Sequence, residues 1–208
     1  TDMLGRIETI VERTGTPVIA DADTGYGNPV TVYHTTRLFE ETGVVGINIE
    51  DQVSPKRCGH MAGKAVIDPR EMARKIEAAC DARRDDDFVI LARTDAIAVE
   101  GIDAAIRRAQ LYARAGADLV FADAIRTEDE IARLVGSVPV PVSVNMGFGL
   151  RSRRTTPLIP VRRLAELGVR RVTLPRMLPA AAILGMRRAL AAMSEARHLP
   201  EPPERPDL

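Results

Sequence analysis

Tryptophan is absent and aromatic residues make up only 3% of the 208-residue chain, so stacking platforms for single-stranded nucleic acid are not expected. There are two cysteines, Cys58 and Cys80, too few for a disulfide framework. Lys+Arg and Asp+Glu both number 29. That balance gives neither the basic surplus of a nucleic-acid binder nor the acidic run of a solvating tail. No apolar run is long enough to span a bilayer, and no signal-peptide pattern is read. These absences exclude nucleic-acid and membrane partners and leave a cytoplasmic enzyme as the expectation. The length fits one domain with a sizeable core, without internal repeats or low-complexity segments.

Strand-like and helix-like segments alternate. Residues 17–21, 45–50, 88–93, 119–122, 140–145 and 171–174 are short apolar runs rich in Val and Ile, the pattern of strands buried on both faces. Residues 69–84 place Met72, Ala73, Ile76, Ala79 and Cys80 on one helical face. Asp68 is placed as N-cap, Pro69 at the first helical position and Glu71 in a capping box. Residues 102–115 repeat the pattern, ended by Gly116. Residues 128–135 and 161–167 form shorter helices, and 179–197 an Ala- and Leu-rich one. Residues 1–197 are read as a single barrel domain and the Pro-rich stretch 198–208 as an extended tail.

Repeated βα units predict a parallel sheet, and two architectures supply one. An open doubly wound sheet binds at one switch point, usually with a Gly-rich phosphate loop, and no such sequence occurs. Polar residues instead end many strands: Asp21 and Asp23, Glu50, Arg93 and Asp95, Asp123, Asn145 and Arg176. Convergence of several strand ends is the arrangement of a (β/α)8 TIM-type barrel. The count is short of eight, and a helix over residues 3–13 precedes any strand. The expectation is therefore a barrel lacking its first two βα units, its open edges a pairing hazard unless a longer chain or a partner covers them.

Two features carry the chemistry. Asp21-Ala22-Asp23-Thr24-Gly25-Tyr26-Gly27-Asn28 follows one apolar run, and Glu50-Asp51 closes the next. The segment Lys56-Arg57-Cys58-Gly59-His60 follows on the adjoining loop. Cations and a histidine around a thiol favour its thiolate and give it acid/base character. Carboxylates on two strand ends with that thiol beyond them suggest a hard-metal site under a proton donor. Each feature has a plainer reading. Asp-x-Asp-x-Gly is good turn chemistry, although an EF-hand is rejected because Val32 stands where its twelfth-position Glu belongs. Arg93 could simply pair with Asp95. Asp123 and Asn145 could cap strand ends, and Cys58 could be a small exposed loop residue. Cys80 is read as a small core residue.

These segments, with Ile49-Glu50-Asp51-Gln52 and Ala92-Arg93-Thr94-Asp95-Ala96, resemble the isocitrate lyase/phosphoenolpyruvate mutase superfamily over about residues 1 to 190. The resemblance is to its branch holding 2-methylisocitrate lyase, dimethylmalate lyase and carboxyphosphonoenolpyruvate mutase. It implies an eight-stranded barrel whose last helix is exchanged between subunits, hence a homodimer or homotetramer. It also implies Mg²⁺, with Mn²⁺ as an alternative, held directly or through water by Asp21, Asp23 and Glu50. Cys58 would deliver a proton to an enolate carbon, with Lys56 and His60 holding its loop and tuning the thiol. Arg93, Asp123 and Asn145 would bind a small anionic carboxylate substrate. The family's Ser-Gly-Gly loop and a further aspartate fall in the two missing units and have no counterpart to assign.

Two departures stand out. The family's Phe-x-Glu-Ala reads Phe121-Ala122-Asp123-Ala124, one methylene shorter. After Asn145-Met146 a family glutamate is lost, and Arg151, Arg153 and Arg154 enter a longer loop. They would either form a solvated face or recognise an additional anionic group. The resemblance implies a Mg²⁺-dependent carbon–carbon lyase acting on a 2-hydroxy di- or tricarboxylate. The alternatives are a carboxyphosphonoenolpyruvate mutase-type enzyme, an oxaloacetate decarboxylase or a non-catalytic barrel module.

Overall fold

A computed structural model describes residues 2–58, 61–147 and 158–196. Six parallel strands lie side by side in chain order and curl into a half-barrel. They are β1 (Ile19–Asp21), β2 (Gly46–Glu50), β3 (Val89–Thr94), β4 (Leu119–Ala122), β5 (Val142–Asn145) and β6 (Arg171–Thr173). The helices are α1 (Asp2–Thr14), α2 (Pro29–Glu41), α3 (Pro69–Ala82), α4 (Ile97–Glu100), α5 (Ile102–Arg114), α6 (Glu128–Ser137), α7 (Val161–Glu166) and α8 (Met177–Ala196). This is the expected α/β barrel architecture, with six strands where closure takes eight.

Register assigns the two faces. Glu50 pairs with Arg93, Arg93 with Phe121, Phe121 with Ser143 and Ser143 with Arg171. Laterally paired residues share a face, so this row lines the concave side. The intervening residues Ile47, Ile49, Ile90, Ala92, Val120, Ala122, Val142 and Val144 are all at most 2% exposed and meet the helices. Val32 and Phe39 of α2 and Met72, Ile76 and Ala79 of α3 pack on the first half of the sheet. Ile106 and Ala109 of α5, Ile131 and Leu134 of α6 and Leu164 of α7 pack on the second. The concave side keeps only a small apolar layer of Val89, Leu91, Leu119 and Phe121 beneath its polar rows.

Strand starts differ from expectation at prolines. Pro17 and Pro141 lack the N–H a ladder needs; β1 begins at Ile19 and β5 at Val142, although the Pro141 carbonyl still accepts from Val120 N–H at 3.1 Å. Helix α3 stops at Ala82 because Arg83 leaves the helical conformation, its guanidinium donating to the Phe88 carbonyl and to Asp118. Asp68 caps it as expected, accepting from Arg70 N–H. Helix α2 was not anticipated, yet its signal is present: Asn28 accepts from Thr31 N–H and Pro29 occupies the first turn. Gly46 is required by close approach, since a Cβ there would stand 2.5 Å from the Val89 carbonyl oxygen. The region 198–208, expected to be an extended tail, lies outside the described residues.

Candidate active site

The polar ends of β1, β2 and β3 meet at one mouth of the half-barrel. After β1 the chain makes an Asx turn, in which Asp23 N–H donates to Asp21 Oδ1 at 2.9 Å. Asp23 adopts a left-handed backbone (φ 49°), and Gly25 follows at φ 82°. The Gly25 position is obligatory on two counts, because a Cβ there would also stand 2.5 Å from Val32 Cγ2. The Asp23 carbonyl accepts from Glu50 N–H at 2.8 Å, locking the turn to the end of β2. Lys75 reaches from α3 to hold the Thr24 carbonyl at 3.1 Å. The turn is therefore both structural and a means of aiming two carboxylates.

Those carboxylates and Glu50 surround one cation. Lys56 Nζ lies 2.6 Å from Asp23 Oδ1, 3.6 Å from Glu50 Oε2 and 4.0 Å from Asp21 Oδ2. Among the described residues no three His, Cys, Asp or Glu side chains close into a ready-made metal cluster, and the three carboxylates converge instead on this ammonium. Glu50 is fully buried, and neither of its carboxylate oxygens has a hydrogen-bond partner. Burial pushes its pKa up to about 7, only partly opposed by Arg93 and Lys56. A buried acid without a donor is costly unless a cation completes it. Hard oxygen donors on two strand ends suit Mg²⁺, which takes few protein carboxylates and retains waters.

Arg93 leaves β3 beside this cluster. Its Nε donates to Asp95 Oδ2 at 2.8 Å, and its Nη2 donates to Asp95 Oδ1 at 3.0 Å and Asp123 Oδ2 at 2.9 Å. Glu50 Oε2 is 3.4 Å from Nε, and the Phe121 ring supports the guanidinium at 5.3 Å. Burial works against its charge, but Asp123, Asp95 and Glu50 outweigh it and raise its pKa above the ordinary arginine value. Asn145 Nδ2 donates to Asp123 Oδ1 at 3.0 Å, and Thr173 Oγ1 donates to Asn145 Oδ1. The shortened Asp123 is thus tied to both Arg93 and Asn145, while Arg93 also forms the ion pair with Asp95 that the plainer reading proposed.

The cysteine loop is a flap closed at its base. Gln52 pairs with Val66 in an antiparallel bridge, and Val53 N–H donates to the Ala65 carbonyl. The Gln52 side chain donates to the Arg57 carbonyl at 2.9 Å and accepts from Arg57 N–H at 3.0 Å. The far limb is fastened by Lys64, whose ammonium sits 2.8 Å from Asp95 with both side chains buried. Cys58 is exposed on this flap. Among the described residues the side chain that donates to its sulfur is Arg176, beyond the end of β6, with Nη2 at 3.6 Å; Lys56 faces the carboxylates. His60 and the cluster Arg151, Arg153 and Arg154 lie outside the described residues.

The phosphoenolpyruvate phosphomutase family profile matches residues 1–194. The 2,3-dimethylmalate lyase of Eubacterium barkeri is 46% identical over 168 residues, covering 81% of this chain and 57% of that protein. The chain belongs to this family.

Other relatives agree. The 2-methylisocitrate lyase of Shewanella oneidensis is 43% identical over 175 residues, covering 84% of this chain and 58% of its own length. The chain thus spans somewhat over half the length of these curated relatives. Among solved structures, a 2,3-dimethylmalate lyase of the PEP mutase/isocitrate lyase superfamily superposes with TM-score 0.86 at 34% identity, covering 100% of this chain and 68% of that one. An oxaloacetate acetylhydrolase bound to 3,3-difluorooxalacetate gives TM-score 0.84 at 33% identity, covering 93% and 65%.

Behind the mouth lies a buried polar hub that sequence reading missed. Asp51 is fully buried and accepts from Thr94 Oγ1 at 2.7 Å, Asp95 N–H at 2.9 Å and Tyr112 Oη at 2.7 Å. Arg108 Nη1 lies 3.4 Å from the same carboxylate, and the guanidinium takes Glu100 bidentately at 2.9 Å. The hub fixes Asp95, and Asp95 fixes both Arg93 and Lys64. Its sequence signal was Asp51 beside Glu50, but the opposite directions of their side chains follow only from strand register.

Proposed function

We propose that this chain carries the catalytic half-barrel of a Mg²⁺-dependent carbon–carbon lyase. The substrate is a 2-hydroxy di- or tricarboxylate, cleaved through an enolate to a 2-oxo acid and a carboxylic acid. The observation that carries this reading is the fully buried Glu50 carboxylate, without a hydrogen-bond donor, facing the same cation as Asp21 and Asp23. The names of the relatives, 2,3-dimethylmalate lyase and 2-methylisocitrate lyase, support it.

Asp21, Asp23 and Glu50 would hold Mg²⁺ directly or through water. When bound, the ion supplies Lewis acidity to the oxygen end of the substrate. Arg93 would reach a substrate carboxylate through its Nη1, its Nε and Nη2 being held by Asp95 and Asp123. Asn145 and Asp123 add polar contacts on the same side. On cleavage the C–C bond breaks, the 2-hydroxyl becomes the oxo group with its proton passing to solvent, and the electron pair stays on the carbon next to the departing acid's carboxylate. Cys58 donates its S–H proton to that carbon. Lys56 neutralises the acid cluster on the flap side.

Helix α8 supports a homo-oligomer with an exchanged C-terminal helix. None of its residues is buried, and Leu178, Leu184, Leu190 and Met193 are each at least 50% exposed. Exposed apolar side chains of this kind are what a helix exchanged between copies would bury.

The test is product identity. Protein with Mg²⁺ is offered 2-methylisocitrate, 2,3-dimethylmalate, isocitrate and oxaloacetate, and products are resolved by chromatography. Release of pyruvate or glyoxylate together with a carboxylic acid from a hydroxy acid supports the lyase. Decarboxylation of oxaloacetate alone, or turnover only of phosphonates, would replace it.

A further inference from the structure

We infer that Arg176 is a catalytic residue of this site, stabilising the thiolate that Cys58 becomes when it gives up its proton. The inference rests on the lyase reading for the identity of that step. Arg176 and Cys58 are 118 positions apart, yet Arg176 Nη2 is 3.6 Å from Cys58 Sγ. No other side chain donates to that sulfur among the described residues.

Arg176 is built into place. It follows Pro175 and takes a left-handed backbone with φ 67°, an uncommon conformation for a residue with a side chain and one that clusters at functional sites. Its carbonyl accepts from Ala180 N–H at 2.9 Å, so it also caps the first turn of α8. The guanidinium is exposed and, among the described residues, pairs with no carboxylate. By contrast, Arg93 is occupied by Asp95, Asp123 and Glu50, and Lys56 by Asp23. Arg176 therefore keeps its charge and most of its N–H groups for whatever enters beside Cys58.

The chemistry follows from how sulfur accepts hydrogen bonds. A neutral thiol is a weak acceptor, and a thiolate is a charged one. In the proton transfer the S–H bond breaks and a C–H bond forms at the enolate carbon. The negative charge moves from the enolate to sulfur, and the thiolate later recovers a proton from water. The Arg176 contact is weak before the transfer and charge-assisted after it, which is differential stabilisation of the later state.

The experiment is the rate of Cys58 alkylation by iodoacetamide at neutral pH, localised by peptide mass spectrometry so that Cys80 is read separately. Thiolate is the reacting species, so loss of the neighbouring guanidinium in Arg176→Met slows Cys58 alkylation by about two- to fivefold. Arg176→Lys retains most of the rate, and Arg187→Met, on exposed α8, behaves as wild type. Wild-type reactivity in Arg176→Met, or equal slowing in the Met and Lys variants, overturns the inference. Alkylation needs no substrate and no metal, so a failure of the lyase assay is read independently of this result.

Discussion

The Lys56 ammonium stands 2.6 Å from Asp23 and 3.6 Å from the buried Glu50. A residue of the cysteine flap thereby neutralises acids from the ends of β1 and β2. Burial works against its charge, but Asp23, Glu50 and Asp21 together raise its pKa. A divalent cation at the proposed site would draw on the same carboxylates that Lys56 holds. Replacing the ammonium by a methyl-terminated chain removes the competitor, so Lys56→Met tightens Mn²⁺ binding by about tenfold. Electron paramagnetic resonance titration of free Mn²⁺ measures this. Equal or weaker binding in the variant would show that Lys56 holds the cluster together instead of competing for it.

Glu50 sets a pH dependence whose sign is fixed. Its folded pKa of about 7 lies above its ordinary value of 4.5, so between those limits the folded protein binds more protons than the unfolded one. Metal-free protein therefore loses stability as pH rises from about 4.5 to 7, by on the order of 3 kcal/mol. Glu50→Gln lacks this slope, and saturating Mg²⁺ reduces it by favouring the carboxylate. Urea denaturation across that range, in chelator and then in Mg²⁺, gives the comparison. Parallel profiles for wild type and Glu50→Gln would mean that the acid is solvated.

The hub behind the site is structural and its disruption has a graded cost. Tyr112→Phe removes one donor to Asp51 and costs about 1–2 kcal/mol. Asp51→Ala leaves Thr94, the Asp95 N–H and Tyr112 without their acceptor and takes one of two carboxylates from Arg108, and costs about 3–5 kcal/mol. Thermal or chemical denaturation orders the two variants. If Asp51→Ala were no worse than Tyr112→Phe, the hub would not act as a unit.

Helix α8 carries the interface prediction. Leu184→Glu with Leu190→Glu places charges on exposed apolar positions. Sedimentation velocity detects self-association in the parent chain and a shift toward monomer in the double variant. A parent that stays monomeric at high concentration would remove the exchanged-helix reading.

Much of the fold was legible because both periodicities were clear. Ile47, Ile49, Ile90 and Ala92 announced strands covered by helices, and Asp68 with Pro69 announced the start of α3. Helix α2 was hidden by its own composition: β-branched Val30, Thr31, Val32, Thr35 and Thr36 weaken a helical signal that tertiary packing then overrides. In the candidate site, strand-end position picked out Asp21, Asp23, Glu50, Arg93, Asp123 and Asn145 as candidates, because each lies near the C-terminal end of a parallel strand. It could not identify Lys64, Asp51 or the direction of Lys56. Those depend on how the flap folds back at the Gln52–Val66 bridge, which no local pattern encodes. Nor does any local pattern bring Arg176 to the Cys58 sulfur, since the two are 118 positions apart.

The most direct measurement is the Mg²⁺-dependent release of 2-oxo acid by the wild-type chain and by Cys58→Ser, with oxalate binding followed by calorimetry in the same preparations. The proposed mechanism predicts that release falls by about 10²–10⁴-fold in Cys58→Ser, while both proteins bind oxalate equally and only with Mg²⁺. Undiminished release by Cys58→Ser would contradict the assignment of Cys58 as proton donor. Oxalate binding unaffected by chelator would contradict the metal site at Asp21, Asp23 and Glu50.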